Sequence, residues 1–379
     1  MIEQNYGDVS PKEFALDVID RLNERYDLRL DDIILNHALT TAQKKKLLTT
    51  QLLEVLWADL DAHDVSAGIE YEPTAHDNQL LTALAATNVE LEPNITLTEH
   101  NANIIRGYQG DDVYNYLFTL TKRFENMAAA KTPGQLAIEI VSGSLVSVGV
   151  AMTVGTIKAW RAGAALLAAV KTGVTSIGMK TAIGVVVFVL VALLLFLLLE
   201  NPKKILGLII NDSDEDFVVT DWRKGVDGGK GGNLYLEHGY MESFPEDHEN
   251  ENLDSPLVQI RKRFYFGPND PDNTVCAGIY FGDRNFGFRG VEGIMVFSSK
   301  TTNTSVAHMF AVPYTNDNGT NMRLLTSKPA PDTLPTLFRE MYNARKVRVD
   351  MTTGGYRLTS TVNHARGGVV GLIGYIQKV

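Results

Sequence analysis

The sequence predicts an α+β protein: an N-terminal α-helical domain with an apolar helical hairpin, followed by a β-sandwich. Three observations predict it. Apolar residues recur at helical spacing in the first 130 residues. Two long uncharged runs follow, Ile140–Ile157 and Thr181–Leu199. From Ile205 onward, short β-branched and aromatic stretches alternate with Gly, Asn, Asp and Pro turns, the pattern of an all-β sandwich or barrel. The predicted divisions are residues 1–130, an acidic helical cap; 131–202, the apolar helices; and 203–379, the strand-rich domain.

The helices come first. Ser10-Pro11-Lys12-Glu13 offers an N-cap, a proline at the first helical position and a glutamate three residues after the cap. Phe14, Ala15, Val18, Ile19 and Leu22 then follow on one face. A second helix is predicted over Thr41 to Asp61, with Leu48, Leu52, Val55, Leu56 and Leu60 as its stripe. A third starts near Asp111 and carries Val113, Leu117, Leu120 and Phe124 toward Ala130. These are core helices without chemistry.

The apolar runs differ. Thr181–Leu199 gives 19 uncharged residues between Lys180 and Glu200. At about 1.5 Å per residue, that length matches a bilayer's hydrocarbon core. Val185, Phe188, Leu194 and Phe196 are its candidate insertion residues. The other reading is a helix buried on all sides within a soluble domain. In Ile140–Ile157, Gly143 and Ser147 begin a small-xxx-small spacing that lets helices pack closely in lipid, or in a tight soluble core.

Charge separates the same three parts. Residues 1–130 carry 22 acidic and 10 basic side chains, residues 131–200 carry 2 and 5, and residues 201–379 carry 21 and 20. The net charge of −10 argues against a nucleic-acid partner. One cysteine, Cys276, excludes a disulfide framework. None of the eight histidines sits four residues from another, so no metal motif is predicted. Gly225–Gly232 fails as a phosphate loop, because Gly231 follows Lys230 where Ser or Thr is required. The acidic stretch Ser243–Asn252 reads as a solvated loop. No nucleophile elbow appears; the expectation is a non-enzyme without cofactor.

In the last part, Lys203–Asn211 with Trp222, the Tyr-Phe-Gly-Asp turn leading to Arg289–Ile294, Ala307–Tyr314, Leu337–Asn343 and Gly367–Lys378 form an ordered set. That set resembles the actinoporin family over residues 203–379, apart from 223–262. The resemblance implies a β-sandwich cytolysin that binds lipid headgroups and inserts a helix lying before the sandwich. It places Pro313 and Tyr314 in the headgroup turn, and Phe338 and Tyr342 on aromatic positions that cradle a choline group, as aromatic faces attract quaternary ammonium. Four positions depart from the family: Ala311 replaces a serine, Glu292 a valine, and Gly319 and Asn343 each a tyrosine.

The expected function is therefore a pore-forming toxin. It would be soluble when made, dock on target-membrane lipid, release its apolar hairpin and assemble as a homo-oligomer. Met1–Ser10 lacks the cationic and apolar regions of a secretory leader, so release by another route is expected. Two alternatives stand beside this reading: a soluble lipid- or glycan-binding lectin-like protein, and a constitutively anchored recognition protein.

Overall fold

The computed structural model describes residues 11–61, 95–117, 187, 190–192, 194–199, 202–219, 233–243, 258–260, 262–263, 274–284, 289–299 and 301–379. Helices dominate the N-terminal part and strands the C-terminal part. They are α1 (Pro11–Tyr26), α2 (Leu30–Ile34), α3 (Thr41–Asp61), β1 (Ile95–Thr98) and α4 (Glu99–Arg106). Helical residues 111–117 form α5, and the helical residues between 187 and 198 form α6. The strands that follow are β2 (Lys204–Asp212), β3 (Phe217–Val219), β4 (Leu234–His238), β5 (Tyr240–Ser243), β6 (Val258–Ile260), β7 (Thr274–Asp283), β8 (Val291–Ser299), β9 (Ser305–Val312) and β10 (Gly319–Leu325). Helix α7 (Leu334–Asn343) precedes β11 (Arg348–Thr353), β12 (Tyr356–Val362) and β13 (Val369–Lys378).

The strands make two sheets. One runs β1-β7-β2-β13-β12-β11, with β5 also on β7; the other runs β10-β9-β8-β3-β6, with β4 also on β8. Pairing is antiparallel except where β13 lies parallel to β2, Val369 opposite Lys204. Their facing sides share one core, in which Ile205, Tyr280, Leu372 and Ile376 of the first sheet meet Val291, Phe297, Phe310 and Val312 of the second.

Strand β2 explains how the layers stack. Its sequence KILGLIIND carries little polar alternation, and all nine residues are buried, as a strand covered on both faces requires. Ile205 and Ile209 enter the shared core. Leu206, Leu208 and Ile210 point the other way, into a separate core with α1, α3, α5 and α6. Gly207 permits the arrangement, because a Cβ there would run into the ring of Tyr280. On the far side, α7 covers the second sheet with Leu334, Phe338 and Met341 against Ile294, Val296 and Met309.

The helix predicted to start at Ser10-Pro11 runs from Pro11 to Tyr26, the predicted 41–61 helix is present, and Ala15, Val18, Ile19, Leu22, Leu48 and Leu52 are buried in the helix-facing core. Val113 and Leu117 of α5 join them. Strand β1, within the residues assigned to the cap, pairs with β7, Ile95 opposite Ala277 and Thr98 opposite Thr274. The N-terminal part thus supplies an edge strand as well as helices.

Polar contacts tie the same layers. The Thr41 hydroxyl donates to Asp283 Oδ2 at 2.8 Å, and Asp283 Oδ1 accepts from the Arg284 amide at 2.7 Å. Lys44 Nζ donates to the Ile34 carbonyl and Lys204 Nζ to that of Leu199, each at 2.6 Å. These ammonium groups close the C-terminal ends of α2 and α6, where carbonyls lack intrahelical partners. Burial pulls the Lys204 pKa down to about 8, against the opposing pull of Asp283. At the other end of the sheet, Arg106 donates to Gln377 at 2.9 Å, and Arg348 to the Arg106 carbonyl at 3.1 Å.

Candidate lipid-headgroup site

The site expected from the sequence lies where β9 ends and α7 ends. All eight residues of β9 are buried. Val306, Phe310 and Val312 face the shared core, while Ala307, Met309 and Ala311 face α7. Pro313 ends the strand, and Tyr314 beyond it is 39% exposed. Gly290 lets the neighbouring turn approach, since a Cβ there would lie 2.7 Å from the Pro313 Cα.

Helix α7 offers Leu334, Phe338 and Met341 at core spacing. Phe338 is only 3% exposed, its ring 5.7 Å from Tyr235 and 5.4 Å from Tyr342. The sequence placed Phe338 among headgroup-facing aromatics; in the fold its ring is a core group beneath them. Tyr342 is half-buried at the helix end. Its hydroxyl donates to Glu292 Oε1 at 3.2 Å, and Asn316, in the loop after Tyr314, donates to it at 3.5 Å. Burial raises the Glu292 carboxyl above its ordinary range, opposed by His238, the Tyr342 hydrogen bond and Arg345. Burial and the hydrogen bond to Glu237 push the Tyr235 hydroxyl up to about 12.

One residue the sequence reading missed dominates this rim. The Arg345 guanidinium lies over the Tyr342 ring, 3.9 Å from its centroid. Its Nε donates to the Asp317 carbonyl at 3.2 Å, and its terminal nitrogen to the Tyr342 carbonyl at 2.9 Å. Gly319 makes the bed for it: a Cβ at 319 would come within 2.9 Å of Arg345 Cγ. Gly319 and the arginine on the aromatic face are one arrangement. The only hint in the sequence was the spacing of Arg345, three residues past Tyr342.

No protein-family model matches the chain, and no curated protein matches it. Among solved structures it is similar to the crystal structure of the lipid binding protein Nakanori, over 47% of this chain and 72% of that one. The identity is 7% and the TM-score 0.30, a likeness too slight to carry a ligand across.

The insertion residues divide. Leu194 and Phe196 are buried in the helix-facing core. Phe196 packs 6.1 Å from Tyr114 of α5 and 5.6 Å from Lys204 Nζ. Val185, Phe188, Gly143 and Ser147, with the run Ile140–Ile157 and the glycine-rich Gly225–Gly232, lie outside the described residues. Among the described residues, no helix is long and apolar enough to cross a membrane, and no group of three His, Cys, Asp or Glu could hold a metal ion. An open groove of about 450 Å³ beside the start of α7 is lined by Leu325, Ser327, Thr333, Leu337 and other residues, none of them aromatic. It is distinct from the aromatic rim at the opposite end of that helix.

Proposed function

We propose that this protein is a pore-forming cytolysin of actinoporin type, a binding protein without catalysis. Its β-sandwich docks on target-membrane lipid, the apolar segment ending at Leu199 leaves the body for the bilayer, and several protomers assemble there. One observation carries the reading. The described residues of α6 pack on the outer face of the first sheet, in a core separate from the one the two sheets share. Their departure would leave the inter-sheet core intact. Apolar side chains of this kind gain on the order of 1 kcal/mol or more each on leaving water, so the segment needs either its present cover or a lipid environment.

A second reading takes the burial of Leu194 and Phe196 in the helix-facing core as permanent. In that case α6 is permanent core, and the protein is a soluble lipid- or glycan-binding module. Incubation with dye-loaded liposomes, followed by carbonate extraction, separates the two. The cytolysin reading expects dye release and a carbonate-resistant fraction that forms only after liposome exposure. Binding without release, with all protein extractable by carbonate, overturns it in favour of the second reading. Protein that is insoluble without detergent from the start points to the anchored alternative.

A further inference from the structure

We infer that the rim at the end of α7 selects an anionic, phosphate-bearing lipid headgroup and not a quaternary ammonium. This rests on the membrane-docking part of the reading above and names the lipid class that docking would use. Of the two rings expected to cradle a choline group, Phe338 and Tyr342, the protein's own Arg345 covers Tyr342 at 3.9 Å. Phe338 offers no substitute, being buried beneath. An incoming ammonium must displace a tethered rival whose effective concentration is about millimolar or higher. That rival is also hydrogen-bonded to two backbone carbonyls, of Tyr342 and Asp317.

The same contacts make Arg345 a receptor. A guanidinium has five N–H donors in a planar fork. Two are spent on those carbonyls and the plane rests on an aromatic ring, so the fork is held at the rim with donors remaining. Such a fork matches the geometry of phosphate oxygens. Two carboxylates near the rim have other hydrogen-bond partners, and the Arg345 charge also acts on Glu292. Glu292 is nearly buried under Tyr342 and accepts its hydroxyl. The Asp317 carboxylate takes a hydrogen bond from Arg366 at 3.3 Å. The surrounding chain is basic as well: residues 323–379 hold nine Lys and Arg against three Asp and Glu.

The test is sedimentation of the full-length protein with vesicles of phosphatidylcholine alone and of phosphatidylcholine with phosphatidic acid. Arg345→Ala and Lys346→Ala are compared, each checked by thermal melting; Lys346 is an exposed neighbour of the same charge. The wild type is expected to bind the phosphatidic acid vesicles more tightly. Arg345→Ala should lose about tenfold on those vesicles, the scale of one charge-assisted contact, and little on phosphatidylcholine alone. Equal losses in the two variants would mean diffuse charge and overturn the inference. So would equal or tighter wild-type binding to phosphatidylcholine, which leaves membrane docking standing. Displacement from vesicles by soluble glycerol phosphate at micromolar levels would assign the site to a free phosphate compound and overturn the lipid source. Sedimentation with neither vesicle would overturn the docking reading and this inference together.

Discussion

The Thr41 hydroxyl reaches across 242 residues of sequence to donate a 2.8 Å hydrogen bond to Asp283 Oδ2. Asp283 is 1% exposed, and its field acts on both Lys44 and Lys204. One carboxylate thus links the third helix, the end of the apolar helix and the end of β7.

Asp283→Asn should therefore weaken the junction between helices and sheet more than it weakens the sheets. A hydrogen bond to a buried charged group is worth about 2 kcal/mol, and both lysines would lose their counter-charge. Urea unfolding followed by far-ultraviolet dichroism for the helices, with amide hydrogen exchange of β12 and β13 for the sheet, checks this. The expected outcome is an earlier helical transition, with the sheet transition less affected; a uniform small shift would refute it.

His308 predicts an acid limb. It is fully buried between the sheets, its Nε2 3.2 Å from the Thr320 hydroxyl and 3.0 Å from that of Ser360. Its Nδ1 has no hydrogen-bond partner among the described residues. Burial pulls the pKa down to about 3 from the ordinary 6.5. Between those values the unfolded chain binds the proton and the folded one does not, so stability is lost as pH falls from about 6.5 toward 3. Denaturation midpoints across that range should show the loss, and His308→Gln should flatten it. An unchanged acid limb in the variant would assign the effect to other groups.

Phe338→Ala should act on folding rather than on headgroup choice. Its ring fills the core between α7 and the second sheet, and truncating such a group costs about 3–5 kcal/mol. Thermal melting should fall sharply, with vesicle binding reduced alike on every headgroup. A stable variant with selective loss on choline vesicles would restore Phe338 to the site.

Holding α6 in place should separate docking from permeabilisation. In a Cys276→Ser background, Tyr114→Cys and Phe196→Cys replace rings whose centroids are 6.1 Å apart, and a short bis-maleimide can bridge them. The bridged protein is expected to sediment with vesicles yet release no dye. Release at the unbridged rate would show that α6 stays where it is during activity.

Much of this architecture was legible because burial leaves a period in the sequence. The helix that starts at Pro11 and the 41–61 helix followed from stripes such as Val18, Ile19 and Leu22, and β2 from the resemblance carried by Lys203–Asn211. What stayed hidden depended on distant partners. Ile95–Thr98 is four residues long in an acidic stretch, and its partner strand lies about 180 residues on. Phe338 was drawn into the site by resemblance, although Leu334 and Met341 give it core spacing. Arg345 was invisible because its position depends on the missing side chain of Gly319.

Strand β1 and strand β2 flank β7 on its two sides, about 10 Å apart at ordinary strand spacing. Everything between Thr98 and Lys204 is therefore a closed span with both feet planted beside one strand. Such a span has a parity. While both feet hold, any part of it that enters a bilayer from the docked side must return to that side, so the number of crossings is even. A single crossing would require one foot, β1 or β2, to leave β7 and the chain beyond it to stay on the far side.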